Sequence, residues 1–216
     1  MYFIQHMTET KNTTSGYLEL IIGPMFSGKT SKLIEVYKQC VFCNIPVCVI
    51  NHLIDKRYHQ SMLSSHDKIM IPCLQSSELN DLWTQDNILI GEESESQSVS
   101  ESASASANQL LRNSKVILIN EGQFFPDLYE VVLDMIKHKK SVYICGLDGD
   151  FEKKKFGQIL DLIPHCDTVT KLTSLCSLCK NGNRGIFSMR LSNEKEQTVV
   201  GSENYIPVCR DCYISN

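Results

Sequence analysis

Long hydrophobic runs are missing from this chain of 216 residues. No segment approaches the roughly 18 consecutive apolar residues of a membrane-spanning helix, so an integral membrane protein is not expected. Residues 1–15, MYFIQHMTETKNTTS, also lack the apolar stretch of a secretory signal peptide. We interpret them as a disordered tail and expect a cytoplasmic location.

An excess of positive charge is missing as well. The chain has 21 Lys and Arg against 25 Asp and Glu, which gives a formal net charge of -4. Proteins whose main partner is nucleic acid usually present a basic surface, so we do not expect that kind of partner. With no export signal, the 10 cysteines favour free thiols and metal ligands in a reducing compartment over a disulfide framework.

The chain does contain an alternation of strand-like and helix-like segments between Gly16 and about Cys166. Apolar segments predict strands, and the segment Lys29–Phe42 predicts a helix with one buried face. The strand-like segments are YLELII (17–22), VCVIN (47–51), KVILIN (115–120) and SVYICG (141–146). This alternation predicts an α/β fold with a mostly parallel sheet.

Two regions interrupt the alternation. Residues 92–109, EESESQSVSESASASANQ, are rich in Ser, Ala and Glu and have almost nothing apolar to bury, which predicts a disordered insertion. Near residue 166 the alternation ends, and two pairs of cysteines follow. We therefore predict an α/β domain over residues 16–166 and a small separate domain over residues 167–216.

The segment GPMFSGKT lies between the first predicted strand and the first predicted helix. It fits the pattern G-x-x-x-x-G-K-[ST], in which main-chain N–H groups turn toward phosphate oxygens at a helix N-terminus. In this pattern the lysine reaches the β- and γ-phosphates, and the last hydroxyl binds Mg²⁺. The predicted ATP-binding residues are Gly23, Pro24, Met25, Phe26, Ser27, Gly28, Lys29 and Thr30, with Thr30 also the Mg²⁺ ligand.

Polar residues follow the predicted central strand, at the sheet edge where parallel α/β proteins carry their sites. Asn120 stands where a P-loop enzyme usually has an Asp for the magnesium shell, and Glu121 supplies a carboxylate beside it. Glu121 could accept the proton of an alcohol that attacks the terminal phosphate, or it could activate water in an ATPase. A strand end without chemistry is the third interpretation.

The two cysteine pairs have metal-ligand spacing. Cys176 and Cys179 form one C-x-x-C, and Cys209 and Cys212 form the other. Four thiolates give the closed tetrahedral shell of structural zinc, which would join the ends of residues 180–208, here called the lasso. Zinc ribbons that bind nucleic acid use similar spacing, so a binding module stays possible at this point. The C-x-x-C of residues 40–43 has no second pair nearby, and we interpret it as structural thiols.

In combination these blocks resemble the zinc-containing, cytosolic-type thymidine kinase family. The resemblance runs from about Gly16 to Tyr213, apart from the Ser-rich insertion, and rests on GPMFSGKT, DKRY, EGQFFPDL, GLDGDFEKKKFG and LCSLC with NYIPVCRDCY. It implies a RecA-like P-loop domain, a small zinc domain, and a dimer or tetramer. The implied reaction, a step of nucleotide salvage, transfers the γ-phosphate of Mg·ATP to the 5′-hydroxyl of deoxythymidine. Inhibition by the end product, thymidine triphosphate, is a further possibility.

The same resemblance assigns roles to individual residues. Glu121 is the implied general base, Arg57 lies near the phosphate-transfer centre, and Asn120 and Gln123 belong to the ATP site. Phe124 and Phe151 are the implied aromatics that hold the nucleoside. The residues implied around the base are Met25, Leu147, Ser188 (where the family usually has Thr), Val199, Val200, Gly201, Ser202 and Tyr205, with the lasso reading thymine through main-chain groups.

Some residues depart from the family pattern or are ambiguous. Asn120 removes a charge from the magnesium shell, so we expect weaker Mg²⁺ binding unless Glu121 compensates. Lys155 stands where a Pro is common. Lys153 and Lys154 could cover the phosphates or belong to a solvated surface. Because one methyl group is worth about 1–3 kcal/mol, deoxyuridine is expected to be a weaker substrate than thymidine.

Three functions remain distinguishable by assay. The first is a nucleoside kinase, specifically a thymidine kinase. The second is an ATPase that remodels nucleic acid, which the net charge of -4 disfavours. The third is a nucleotide-regulated binding module, which the carboxylate beside the aromatic segment QFFPD disfavours, since such aromatics suit a flat base. The sequence favours the first.

Overall fold

The computed structural model describes residues 15–55, 62–64, 68–83, 99–199 and 201–215, without the side chains of residues 99–105 and 202. Its centre is a six-stranded sheet in the order β5-β2-β6-β7-β1-β8, and every neighbouring pair is parallel. The strands are β1 (Tyr17–Ile22), β2 (Val47–His52), β5 (Leu74–Ser76), β6 (Val116–Asn120), β7 (Ser141–Gly146) and β8 (Thr168–Lys171). The predicted α/β class with a mostly parallel sheet is confirmed.

Helices cover both faces of the sheet. On one face, α1 (Lys29–Phe42) packs Leu33, Ile34, Val36 and Cys40 against alternate residues of the central strands. On the other face, α3 (Leu128–Lys137) packs Leu128, Val131, Val132 and Met135 against the intervening residues. Because both faces are buried, β6 is apolar at four consecutive positions before Asn120. Among the described residues, no helix is long and apolar enough to cross a membrane.

The Ser-rich region differs from its prediction. Helix α2 spans Val99–Asn113, so the expectation of disorder is wrong for residues 99–109, while residues 92–98 lie outside the described residues. Ala and Glu favour the helical backbone. Near the end of α2, Leu111 is fully buried and Ala107 packs against the core, so this segment has an apolar contact that its composition did not indicate.

The C-terminal region consists of short antiparallel pairs. Strands β9 (Ser174–Leu175) and β10 (Arg184–Gly185) form one pair, β11 (Phe187–Arg190) and β12 (Tyr205–Val208) form another, and α4 (Arg210–Ile214) follows. A further antiparallel pair, β3 (Met62–Ser64) and β4 (Met70–Pro72), lies outside the central sheet. Since β8 pairs with β1, the predicted domain boundary after residue 166 falls before the last strand of the sheet.

Candidate active site

The P-loop follows β1 and leads into α1. Gly23 has a φ of 150°, and a Cβ there would collide with the carbonyl oxygen of Leu172, so the close approach of the two backbones requires glycine. The carbonyl oxygen of Pro24 accepts hydrogen bonds from Ser27 Oγ at 2.8 Å and Lys29 Nζ at 2.7 Å. The ammonium of Lys29 is thereby held against the loop, at the N-terminus of a helix where anions are stabilised.

Asn120 accepts a hydrogen bond from the Thr30 hydroxyl and thereby holds it in place. Thr30 Oγ1 donates to Asn120 Oδ1 at 3.3 Å, and Asn120 Nδ2 donates to Asn51 Oδ1 at 2.8 Å. Asn120 is fully buried and does not line the cavity described below, so it acts on the site through Thr30. An ionised carboxylate at this position could not donate to Asn51 Oδ1, which gives a physical reason for the amide.

Residues with oxygen ligands for a hard cation nevertheless line the cavity together with Thr30. The Thr30 hydroxyl and the carboxylates of Asp55 and Glu121 line the same cavity. Asn51 Nδ2 contacts Asp55 Oδ2 at 3.5 Å, which joins Asp55 to the polar chain behind Thr30. Hydroxyl and carboxylate oxygens are the ligands that Mg²⁺ prefers together with substrate phosphates, so the residues present fit a nucleotide-bound Mg²⁺.

Glu121 follows β6 in a left-handed backbone conformation, with φ 56° and ψ 43°. A residue other than glycine pays about 1–3 kcal/mol for such a conformation, and these outliers cluster at functional sites. Gln123 Nε2 donates to Glu121 Oε2 at 2.7 Å, and Gln123 Oε1 accepts the N–H of Leu147 at 2.9 Å. Gln123 therefore fixes the direction of the Glu121 carboxylate.

A cavity of about 350 Å³ joins the P-loop, Glu121 and the C-terminal region. This volume is in the range of small-ligand sites. The predicted residues that line it are Met25, Phe26, Ser27, Gly28, Lys29, Thr30, Glu121, Gln123, Phe124, Leu147, Phe151, Ser188, Val199, Gly201 and Tyr205. Gly23, Pro24 and Asn120 are outside its lining, Arg57 and Val200 lie outside the described residues, and the side chain of Ser202 is likewise not described.

Sequence reasoning missed part of this lining. The residues that it did not select are Ser31, Ile54, Asp55, Gly149, Asp150, Phe156, Gln197, Thr198 and Glu203. Asp55, Asp150 and Phe156 fall inside the quoted segments DKRY and GLDGDFEKKKFG, so taking those segments as whole blocks would have found them. Gln197 and Thr198 precede the selected part of the lasso, and no local pattern marks them.

The C-terminal region reaches the P-loop directly. The N–H of Met25 donates to Ser188 Oγ at 2.9 Å, across 163 residues of sequence. Ser188 is buried on β11, and both residues line the cavity. The lining of the cavity therefore includes a hydrogen bond between two regions that the sequence predicts as separate domains.

Arg190 organises the lasso beside the cavity. Its guanidinium nitrogens donate to the carbonyl oxygens of Glu194 at 2.9 Å, Glu196 at 2.6 Å and Gln197 at 3.0 Å. They also donate to the hydroxyl of Tyr205 at 3.2 Å and 2.6 Å. These bonds employ all five N–H groups of an arginine, so the conformation of this turn depends strongly on one side chain.

His52 packs against two phenylalanines of the segment that follows Glu121. Its ring centroid is 5.5 Å from that of Phe124 and 4.8 Å from that of Phe125. Burial lowers the pKa of His52 from its ordinary value of 6.5, because desolvation disfavours the cation. The neutral ring accepts the N–H of Ile54 on Nδ1 at 3.1 Å, just before the cavity-lining Asp55.

The four paired cysteines converge. The sulfur atoms of Cys176, Cys179, Cys209 and Cys212 all lie within 4.8 Å of one another, so this cluster can hold a metal ion. Burial raises the pKa of Cys176, but hydrogen bonds from the backbone near Cys179 and Cys209 outweigh it and lower this pKa to about 6. Four convergent cysteine sulfur atoms are the ligand set of a structural zinc ion.

The chain was compared with known proteins. The family model described as thymidine kinase matches residues 16–91 and 78–213. A thymidine kinase of Yaba monkey tumor virus is 35% identical over 203 residues, which cover 94% of this chain and 97% of the relative. Thymidine kinase 1 of Dictyostelium discoideum is 35% identical over 94% of this chain and 79% of the relative.

A vertebrate relative shows the same likeness. The cytosolic thymidine kinase of Bos taurus is 35% identical over 201 residues, which cover 93% of this chain and 73% of the relative. This chain belongs to the thymidine kinase family.

Proposed function

We propose that this protein transfers the γ-phosphate of ATP to the 5′-hydroxyl of deoxythymidine and thereby produces thymidine monophosphate for nucleotide salvage. The observation that carries the proposal is the position of Glu121. Its carboxylate is directed by Gln123 and lines one cavity together with the P-loop residues Lys29 and Thr30. Phosphate donor, proton acceptor and alcohol would therefore meet in one enclosed space, as phosphoryl transfer requires.

In the proposed reaction Glu121 accepts the proton of the 5′-hydroxyl while the 5′-oxygen forms its bond to the γ-phosphorus. The bond from that phosphorus to the bridging oxygen breaks, and ADP leaves. The N-terminus of α1 and the ammonium of Lys29 stabilise the charge on the phosphates. When the nucleotide brings Mg²⁺, oxygen atoms of Thr30 and Asp55 would hold the ion, and it would supply further charge neutralisation.

The aromatic part of the cavity is assigned to the nucleoside. Phe124, Phe151 and Tyr205 line it and offer flat apolar surface to a base. Thymine has two carbonyl acceptors and one N–H group, and we assign their recognition to main-chain groups of the lasso, of which Val199 and Gly201 line the cavity. Met25, Leu147 and Ser188 line the same cavity and are assigned to the ring and its methyl group.

The cysteine cluster is assigned a structural zinc ion. A site closed by four sulfur ligands has no free coordination position for chemistry. Cys209 directly follows β12 and Cys176 directly follows β9, so the ion would fix the strand before the lasso to the strand that ends it. Two further predictions come from the family resemblance alone, namely a dimer or tetramer and inhibition by thymidine triphosphate.

An assay of ATP consumption with alternative acceptors tests the proposal. Consumption that depends on thymidine, with deoxyuridine about 10–200-fold less efficient because one methyl group is absent, is the expected result. Consumption that depends on single- or double-stranded DNA would instead identify a nucleic-acid remodeller. ATP binding without turnover on any acceptor would identify a binding module.

A further inference from the structure

Asp150 is a buried carboxylate that the proposed chemistry does not use. It lies in the segment of residues 149–157, here called the lid, which also carries the cavity-lining Phe151. Only 7% of its surface is exposed. Asp150 Oδ1 accepts the N–H groups of Glu152 and Lys154, each at 2.9 Å. One carboxylate oxygen thus shapes the turn of the lid.

The second carboxylate oxygen reaches across to the lasso. Asp150 Oδ2 accepts the side-chain amide of Gln197 at 2.8 Å, across 47 residues of sequence. The backbone carbonyl of Gln197 is itself held by Arg190 at 3.0 Å. Gln197 is therefore fixed at both ends, by the lid through its side chain and by β11 through its backbone.

A second contact joins the same two segments. The guanidinium carbon of Arg190 lies 3.7 Å from the ring centroid of Phe151, at a distance typical of a cation–π interaction. The lid therefore meets the lasso through Asp150–Gln197 and through Phe151–Arg190. Gln197 belongs to residues 194–199, here called the lasso tip, whereas Arg190 lies on β11. Gln197, Thr198 and Val199 all line the cavity, so this junction forms part of its wall.

We infer that Asp150 is a positioning residue that fastens the lasso tip to the lid and so closes the nucleoside side of the cavity. The inference rests on the proposed function for its substrate. Glu121 is directed separately, by Gln123 and the N–H of Leu147. Loss of the Asp150–Gln197 bond therefore affects the binding of thymidine, while the rate of transfer from the closed complex changes little.

Exchange of the Asp150 carboxylate and the Gln197 amide tests whether their hydrogen bond holds the lasso tip against the lid. In Gln197→Glu two carboxylates face each other, and in the double variant Asp150→Asn with Gln197→Glu an amide again meets a carboxylate. The Asn Oδ1 can still accept the N–H groups of Glu152 and Lys154. We expect Gln197→Glu to raise the KM for thymidine about tenfold or more, with kcat changed less than about threefold. The double variant is expected to return to within about threefold of the original KM.

Lys195→Ala, an exposed position of the same lasso tip, is the matched control and should keep the original KM. Since Gln197 is also exposed, Gln197→Ala should leave the melting temperature nearly unchanged, and it gives an independent loss of the bond without a second carboxylate. An unchanged KM in Gln197→Glu and Gln197→Ala, or equal KM values for Gln197→Glu and the double variant, overturns the inference.

Hydrogen exchange separates this inference from the proposed function. Without any nucleoside, Gln197→Glu is expected to speed amide exchange in the lasso tip at least about tenfold, and the double variant is expected to restore it. If the original protein uses no thymidine but shows this pattern, the proposed function fails and the junction stands. If thymidine is a substrate and exchange does not change, the junction fails alone.

Discussion

Gln123 Nε2 donates a hydrogen bond of 2.7 Å to Glu121 Oε2, and the N–H of Leu147 holds the other end of the Gln123 amide at 2.9 Å. The amide therefore has a fixed orientation, with its donor toward the carboxylate. Two strand ends contribute to this arrangement, because Glu121 follows β6 and Leu147 follows β7.

Glu121→Gln should abolish most of the turnover. A general base contributes about 10²–10⁴-fold to a rate, and the amide cannot accept the proton of the 5′-hydroxyl. Binding of ATP and thymidine should persist, since the side chain keeps its size. Steady-state rates and isothermal titration calorimetry measure the two effects, with the exposed Glu130→Gln on α3 as control. Near-normal turnover would remove Glu121 as the base.

Gln123→Glu should move the acidic limb of the kcat–pH profile to higher pH. A second carboxylate beside Glu121 disfavours ionisation of the pair, so protonation persists to a higher pH. Gln109→Glu adds the same charge at an exposed position outside the cavity lining and should leave the profile in place. A profile that does not move in Gln123→Glu would show that the two side chains do not interact during turnover.

Ser188→Ala should weaken nucleoside binding. The substitution leaves the N–H of Met25 without its acceptor in a partly buried position, which costs about 1–3 kcal/mol. We expect the KM for thymidine to rise roughly tenfold, whereas Ser188→Thr keeps a hydroxyl and should change it less. Kinetics with Ser215→Ala, an exposed serine after α4, provide the comparison. Equal KM values for the Ala and Thr variants would contradict the role of the hydroxyl.

Cys176→Ser should lower the zinc content and the melting temperature. The protein would lose one of four sulfur ligands in a closed site, and such ions contribute directly to folding. Cys43→Ser removes an exposed thiol with the same C-x-x-C spacing and should leave both quantities unchanged. Zinc measured by atomic emission that stays at the original level in Cys176→Ser would refute the ligand set.

His52 should make the protein less stable in acid. Its pKa in the folded state is lowered from 6.5 by burial, so below that pH the unfolded chain binds more protons than the folded chain. Stability then falls as the pH decreases through and below about 6.5. His52→Gln removes this term, and its melting temperature should decline less than that of the original protein between about pH 7.5 and pH 5. Parallel curves for the two proteins would refute this explanation.

Local patterns determined much of the fold. Helix α1 and strands β1 and β7 have the predicted bounds, because their apolar spacing matches one repeat over many residues. Composition failed for residues 99–109, where a helix stands in place of the predicted disorder. The buried Leu111 lies near the end of this helix. The average composition of residues 92–109 does not reveal such a contact.

The sequence by itself determined the chemistry that is available, namely a phosphate-binding loop, a carboxylate at a strand end and two cysteine pairs. Only the tertiary structure decided that Asn120 supports Thr30, that Gln123 directs Glu121, and that Ser188 holds the N–H of Met25. These bonds connect the ends of different strands, so they depend on the order of strands in the sheet and on where the C-terminal pairs dock. Residue spacing along the chain does not encode the strand order or the docking position of the C-terminal pairs. Both are decided by how whole helices and strands bury their apolar faces.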